Sequence, residues 1–474
     1  MHINELTDDC LLKIFHFLSI TERIRNERVC RKWRTILPLS FIHTQQIDLA
    51  DFMIKTYKTH YQTDSIQFTP TTVGLLRRCG PFLRQINFGK RWLKVSQEII
   101  DCILEYCQNL TTLDLGSIVL DADIRPLLSQ LAPQLITFSL DETHWIQEND
   151  ATGIDYFFPF MHNLKNLHLK RVPFTLDTLD QLPHDLQFIN LSGVRRLDLD
   201  TLQIFLLNHI LLNQLHLSNF QQIQQTTLEI IGSMPSIRVL ELSCLTKDDL
   251  DLSPIAHLGN TLQELYFQSN NSLDDHAFRL ICVQCTQLLL INLFNCKRLR
   301  DFGALAHCRN LITLMVSSTP QICDADLIDI SVNGTLQSLT LTQCVNVGSP
   351  GLATLALRCP LRELCITNCS SVDDSTLLAL VSNTHPIASI SLQNCRITND
   401  GVSALARLDS SVLARLAELD ISYNRSINNG SIMAVYHAMA NSPHPPCKPT
   451  IHVHQTNVSR DLEPLVQDCL RLVF

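Results

Sequence analysis

The chain lacks three things that would each set its class. Its 474 residues hold 37 Lys and Arg against 46 Asp and Glu, a net charge of −9. That balance argues against wholesale nucleic-acid binding, which calls for a basic stripe. No apolar run is long enough to cross a bilayer. The most apolar stretch, Leu202 to Leu217, is broken by Gln203, Asn208, His209, Asn213, Gln214 and His216. Nor does the start read as a secretory leader, since Asn4, Glu5, Asp8 and Asp9 stand where a basic end and an apolar run belong. Also missing are a Gly-rich phosphate loop, a nucleophile elbow and a metalloprotease helix motif, so no catalytic residues, cofactor or metal site are assigned. With 45% apolar and 18% charged residues, the composition is that of a well-packed chain rather than a disordered one. The 18 cysteines, without an export route, read as free thiols in a reducing interior, and cytosol or nucleus is the expected location.

What the chain does have is a repeat of about 25 residues. Its core is L-x-x-L-x-L. Clear copies include Leu110/Leu113/Leu115, Leu164/Leu167/Leu169, Leu212/Leu215/Leu217, Leu336/Leu339/Leu341 and Leu416/Leu419/Ile421, with weaker ones such as Leu83/Ile86/Phe88 and Ile387/Ile390/Leu392 between them. That period and pattern are the leucine-rich-repeat signature. The expected fold is α/β: a solenoid curved as a horseshoe, with parallel strands on the concave face and helices on the convex face. In each strand the second and third apolar residues point inward and the residue between them points out. Cys296, Cys344, Cys369 and Cys395 fall three residues after the last inner position, with Asn424 in that place in a later copy. Small thiols buried at the turn account for them without chemistry. The half-motif Cys282-Val283-Gln284-Cys285 lacks a second half and reads as helix packing rather than zinc binding.

Three segments follow from this. Residues 41–440 carry the repeats, and residues 441–474 form a Pro-rich loop followed by a capping strand (Ile451, Val453) and a helix begun at Asp461. Residues 1–40 break the period. There Leu11, Ile14, Phe15 and Leu18 form one helical stripe, and Val29, Cys30 and Trp33 form another among basic residues. So small a helical head needs a partner surface. Between about residues 50 and 80 the period is also unsettled, with Asp64–Phe68 a possible extra strand or the segment around Tyr57 and Tyr61 an insertion.

The head resembles an F-box, on Leu6-Thr7-Asp8-Asp9-Cys10-Leu11-Leu12-Lys13-Ile14-Phe15-His16-Phe17-Leu18 followed by Arg28-Val29-Cys30-Arg31-Lys32-Trp33-Arg34. With cysteine-containing repeats behind it, the whole chain is similar to the F-box and leucine-rich-repeat proteins. Thr7 stands where that family usually has proline, Cys10 where a larger apolar residue is common, and Asp9 where glutamate is frequent. The resemblance implies a non-catalytic substrate receptor of a Skp–cullin–F-box ubiquitin ligase, whose partners are a Skp-type adaptor, a cullin scaffold and a protein substrate. The adaptor residues it implies are Leu6, Leu11, Ile14, Phe15, Leu18, Val29 and Trp33, some of which must be core. For the substrate, the outward strand positions His168, Phe188, His216, Glu241, Glu264 and Tyr266 combine aromatic and charged groups suited to a hot spot. Two other readings compete: a leucine-rich-repeat scaffold without ligase association, and an F-box protein acting outside degradation.

Overall fold

The structure, a computed structural model, describes residues 3–57, 65–89, 93–147, 152–220, 223–245, 249–382, 387–408, 416–440 and 448–474. Tyr61, Asp64, His444 and Cys447 lie outside these. The chain divides into two compact units, Met1–Gln222 and Ile223–Phe474.

The first unit opens with three helices, α1 (Asp8–His16), α2 (Ile20–Asn26) and α3 (Arg31–Ile36). Each start is fixed locally. The Thr7 side chain accepts from Cys10 N, and Ser19 and Glu22 form a reciprocal capping box. Cys30 Sγ accepts from Trp33 N. Thr7 has φ −63°, the value a proline ring imposes, so threonine keeps the backbone and adds a cap. Leu11, Phe15, Ile36 and Leu37 form a small closed core, with Leu6, Leu12, Leu18 and Trp33 packed at its edge. Arg23 latches it by donating to the carbonyls of Leu18 (2.9 Å), Ser40 (3.0 Å) and His16 (3.0 Å). Arg78 ties the head to the helix Ser65–Cys79 through a forked pair with Glu27 at 2.9 and 3.1 Å. That helix occupies the place of the suggested extra strand, for which Phe68, Leu75 and Leu76 instead provide a buried helical face.

Behind the head, short parallel strands stack in register. In the first unit they are Gln46–Asp48, Gln85–Asn87, Thr112–Asp114, Thr137–Ser139, Asn166–His168, Phe188–Asn190 and Gln214–His216. Their centres, from Ile47 and Ile86 to Leu215, form one buried column. In the second unit the ladder runs from Val239–Glu241 through Glu264–Gln268 and on to Glu418–Asp420, Thr450–His452 and Arg471–Val473. The fold is a leucine-rich-repeat solenoid. The outward residues line up as the repeat requires, Asn87 beside Asp114 and Ser139, and Glu241 beside Tyr266 and Asn292.

Three residues beyond each outward position the backbone turns left-handed, at Ser117, Glu142, Arg171 and Asn219 in the first unit and at Ser269, Asn295, Asn368 and Asn394 in the second. This conformation is costly for residues with a Cβ and least so for Asn. In the second unit the next residue answers it. Cys296 Sγ faces the carbonyls of Phe267 (3.4 Å) and Phe294 (3.7 Å), and Cys344, Cys369 and Cys395 repeat the contact. Asn424 fills the same place more strongly, donating to Leu392 O at 2.7 Å and accepting from Cys395 N at 3.0 Å. Asn270 and Thr319 belong to this column as well, although their sequence gives no cysteine to mark them.

The returning segments are only partly helical. Gln97–Tyr106, Asp275–Gln284 and Ser349–Arg358 are helices, whereas Asp155–Phe160, Ser253–Leu258 and Phe302–His307 are 3-10 turns. Pro159 lies inside the first of those turns, where it removes a backbone donor. At the C-terminal end, Ser459 rather than Asp461 caps the turn, accepting from Asp461 N. The helix there is short, Glu463–Val466, and Arg471–Val473 is a strand that alternation over so few residues did not reveal.

Candidate functional site

The seven residues of the head sort by burial. Leu11 and Phe15 are fully enclosed, and Leu6, Leu18 and Trp33 are half-buried against them. Trp33 packs edge-on to Phe15 at 4.9 Å and donates its indole N–H to Asn4 Oδ1 at 2.8 Å. These five build the head. Ile14 and Val29 face out, at 39% and 58% exposure. Phe17, three residues on from Ile14, is 92% exposed and was not selected from the sequence. It lies just outside the Leu11/Ile14/Phe15/Leu18 stripe, one residue before Leu18, so the apolar spacing did not point to it. Leu39 and Ile42 are also exposed.

On the ladder, the proposed substrate residues fall in separate places. In the first unit Phe188 lies between two imidazoles, with ring centroids 4.2 Å from His168 and 5.2 Å from His216. The register explains this. His168 and His216 flank Asn190, while Phe188 starts the central strand and reaches between them. Asp141 Oδ2 is 3.6 Å from His168 Nδ1. In the second unit Tyr266 sits beside Glu241, and its hydroxyl donates to Glu264 Oε2 at 2.8 Å. Burial first, then those two carboxylates, push the phenol up, so it stays a donor. The structure therefore brings His168, Phe188 and His216 together, and Glu241, Glu264 and Tyr266 together.

Two cavities open on the first unit that the sequence reading did not find. One, of about 730 Å³, is lined by Asp48, Asp51, Asp114, Asp141 and His168 among others, and it is walled by the start of α2. The other, about 300 Å³, is ringed by Arg171, Arg195 and Arg196 with Gly193 at its base. Burial pushes the Cys285 thiol up to about 12, and its Sγ faces the carbonyls of Ile255 and Ala256 at 3.8 Å. Among the described residues no group of three His, Cys, Asp or Glu is arranged to hold a metal. Among them, too, no helix is long and apolar enough to cross a membrane.

Residues 3–40 match the family profile of the F-box domain. The chain thus joins an F-box to a leucine-rich-repeat solenoid, the architecture of the F-box and leucine-rich-repeat family. A curated relative, the Caenorhabditis elegans protein described as "Putative RNA-binding protein EEED8.10", is 24% identical over 93% of this chain. The chain spans about half of that relative's length, 53%. Among solved structures, the chain is similar to one of the yeast Rad7 and Elc1 complex, with 14% identity, 74% of this chain and 87% of that one covered, and a TM-score of 0.47. A leucine-rich-repeat protein of Leptospira interrogans gives 15%, 85%, 98% and 0.46 for the same measures.

Proposed function

We propose that the chain is the substrate-recognition subunit of a Skp–cullin–F-box ubiquitin ligase. Its F-box binds a Skp-type adaptor, which connects it to the cullin scaffold, and its repeat ladder binds the protein to be ubiquitylated. The observation that carries this reading is the head itself. A helical F-box closed on its own core leaves Ile14, Phe17 and Val29 exposed, and exposed aliphatic and aromatic groups on so small a module are the mark of a docking surface. The receptor is a positional device without catalysis of its own. It raises the local concentration of substrate lysines beside a loaded conjugating enzyme. Such work belongs to the cytosol or nucleus, where the free thiols are also at home.

The experiment is co-purification of the tagged chain with adaptor and cullin from cells. Recovery of both is expected, with loss of both on Ile14→Ala/Phe17→Ala. Absence of the adaptor from the unmodified chain rejects the ligase reading in favour of a plain repeat scaffold.

A further inference from the structure

Two serines of the first unit are buried with hydroxyls that the fold does not use. Ser117 and Ser139 are 8% and 6% exposed, and among the described residues neither side chain makes a hydrogen bond. Both line the larger cavity, of about 730 Å³, a size that takes a small molecule or a few side chains. Buried polar groups are bonded as a rule, so these two are held for whatever enters the cavity. Gly116 keeps the space open. A Cβ there would meet Asp114 Oδ1 at 3.0 Å, Ser139 Oγ at 3.2 Å and the Asp141 carbonyl at 3.3 Å. Glycine therefore leaves three oxygen acceptors, of three kinds, around one small opening.

The cavity is acidic and carries no counter-charge of its own. Asp48, Asp51, Asp114 and Asp141 line it, and no described lysine or arginine does. Asp141 is engaged, accepting from Lys170 N at 2.6 Å and facing His168. Asp48 and Asp114 each use one oxygen to accept from a backbone N–H, of Asp51 at 2.8 Å and of Gly116 at 2.9 Å. Neither has a cationic partner among the described residues. One carboxylate with a hydroxyl and a carbonyl beside it suits the three hydrogens of a primary ammonium better than the planar fork of a guanidinium. Asp48 and Asp114 are two ladder steps apart, with Asn87 between them. At roughly 4.8 Å per step that is roughly 10 Å, too far for one ammonium to bridge. Two residues earlier on neighbouring strands, Gln46 and Gln85 also line the cavity. Their amides match the N–H and C=O groups of a main chain, which a simple polyamine lacks.

We propose that this cavity binds a lysine-bearing protein segment, one lysine ammonium held by Asp114, Ser139 and the Asp141 carbonyl and a second by Asp48, with Gln46 and Gln85 against the segment's main chain. A separation of roughly 10 Å is about three residues of extended chain, so the segment carries its two lysines close together. The start of α2 walls the cavity, and the occupant lies beside the F-box. As a substrate class, this rests on the receptor reading above; as a binding site, it stands on its own geometry.

The test uses the purified full chain and an array of short peptides with one lysine, or with two at varied spacing. Each has a twin with acetylated lysines and a twin with arginines in their place. Lysine pairs should be captured at least about tenfold over their acetylated twins, and more strongly than arginine pairs or single lysines. Asp48→Asn/Asp114→Asn keeps acceptors for Asp51 N and Gly116 N, and should erase that preference at unchanged melting temperature. Ser139→Ala removes a hydroxyl that the free chain does not use, so thermal unfolding should stay the same while capture falls about threefold or more. Equal capture of acetylated twins, or capture indifferent to either variant, overturns the proposal. So does displacement of the peptide by spermine at equal concentration, which reassigns the site to a polyamine. Displacement by calcium or magnesium at constant ionic strength overturns it in favour of a metal. The array needs no ligase component. Capture without adaptor recovery removes the ligase reading alone, and adaptor recovery without capture removes this site alone.

Discussion

The two units solve one packing problem in different ways. In the second, from Glu264–Gln268 to Ser389–Gln393, the strands are five residues long, and a buried Cys, Thr or Asn follows each left-handed turn. In the first, the ladder strands are three residues long, and the outward residues Asn87, Asp114 and Asn190 accept from Gly89 N, Gly116 N and Ser192 N; Ile118, Val172, Val194 and Phe220 stand where the second unit has its buried polar residue. A small buried hydrogen-bonding residue at the turn, Cys, Thr or Asn, accompanies the longer strands. A polar outward residue that caps its own turn keeps the strand short and leaves room for cavities. Both described cavities, and the head, belong to the irregular unit.

That contrast can be broken at several places. The largest effect is expected in the head, where Leu11→Ala or Phe15→Ala should cost about 3–5 kcal/mol, read by urea unfolding of the full chain. A loss well under 1 kcal/mol would mean that the head's core is not closed. In the second unit, Asn424→Ala leaves Leu392 O and Cys395 N without their partner and should cost about 2–3 kcal/mol. Asn424→Cys restores the residue used at Cys395 and should cost less. Equal penalties would show that the column is not one interchangeable position.

How much was legible follows from the same contrast. The buried column and the outward row were read correctly because a period-two strand inside a fixed repeat leaves one choice of face, as at Leu339 and Thr340. Cysteine flagged the turn column, yet Asn270 and Thr319 escaped because the column requires a small buried hydrogen-bonding group, not a thiol. In the head, helical spacing gave the stripe but not its burial. Phe17 lies just past α1, outside the stripe that points at the core. Arg171, Arg195 and Arg196 converge only through the turns after two neighbouring strands, which no local pattern encodes.

A smaller effect is expected from His209, fully buried in the first unit with its ring nitrogens 2.7 Å from Phe205 O and 3.1 Å from Leu182 O. Burial, the main cause, holds its pKa below the ordinary value. The folded state therefore binds fewer protons than the unfolded one in this range, and its contribution to stability, present above the ordinary histidine value, is lost as the pH falls through it. Asp155, pushed up by burial, acts with the opposite sign at lower pH, where its cost is relieved. Melting temperatures of the unmodified chain and of His209→Gln between pH 7.5 and 5 should converge on acidification. Parallel curves would assign the acid sensitivity elsewhere.

The smallest effect on stability, and the largest on function, is expected at the exposed rim of the F-box. Ile14→Ala/Phe17→Ala should alter unfolding by no more than about 0.5 kcal/mol. Titration of the purified chain with the Skp-type adaptor, followed by calorimetry, puts the central claim to the question. Saturable one-to-one binding, abolished in this variant at unchanged melting temperature, is the result expected of a substrate receptor. No heat of binding from the unmodified, folded chain contradicts it.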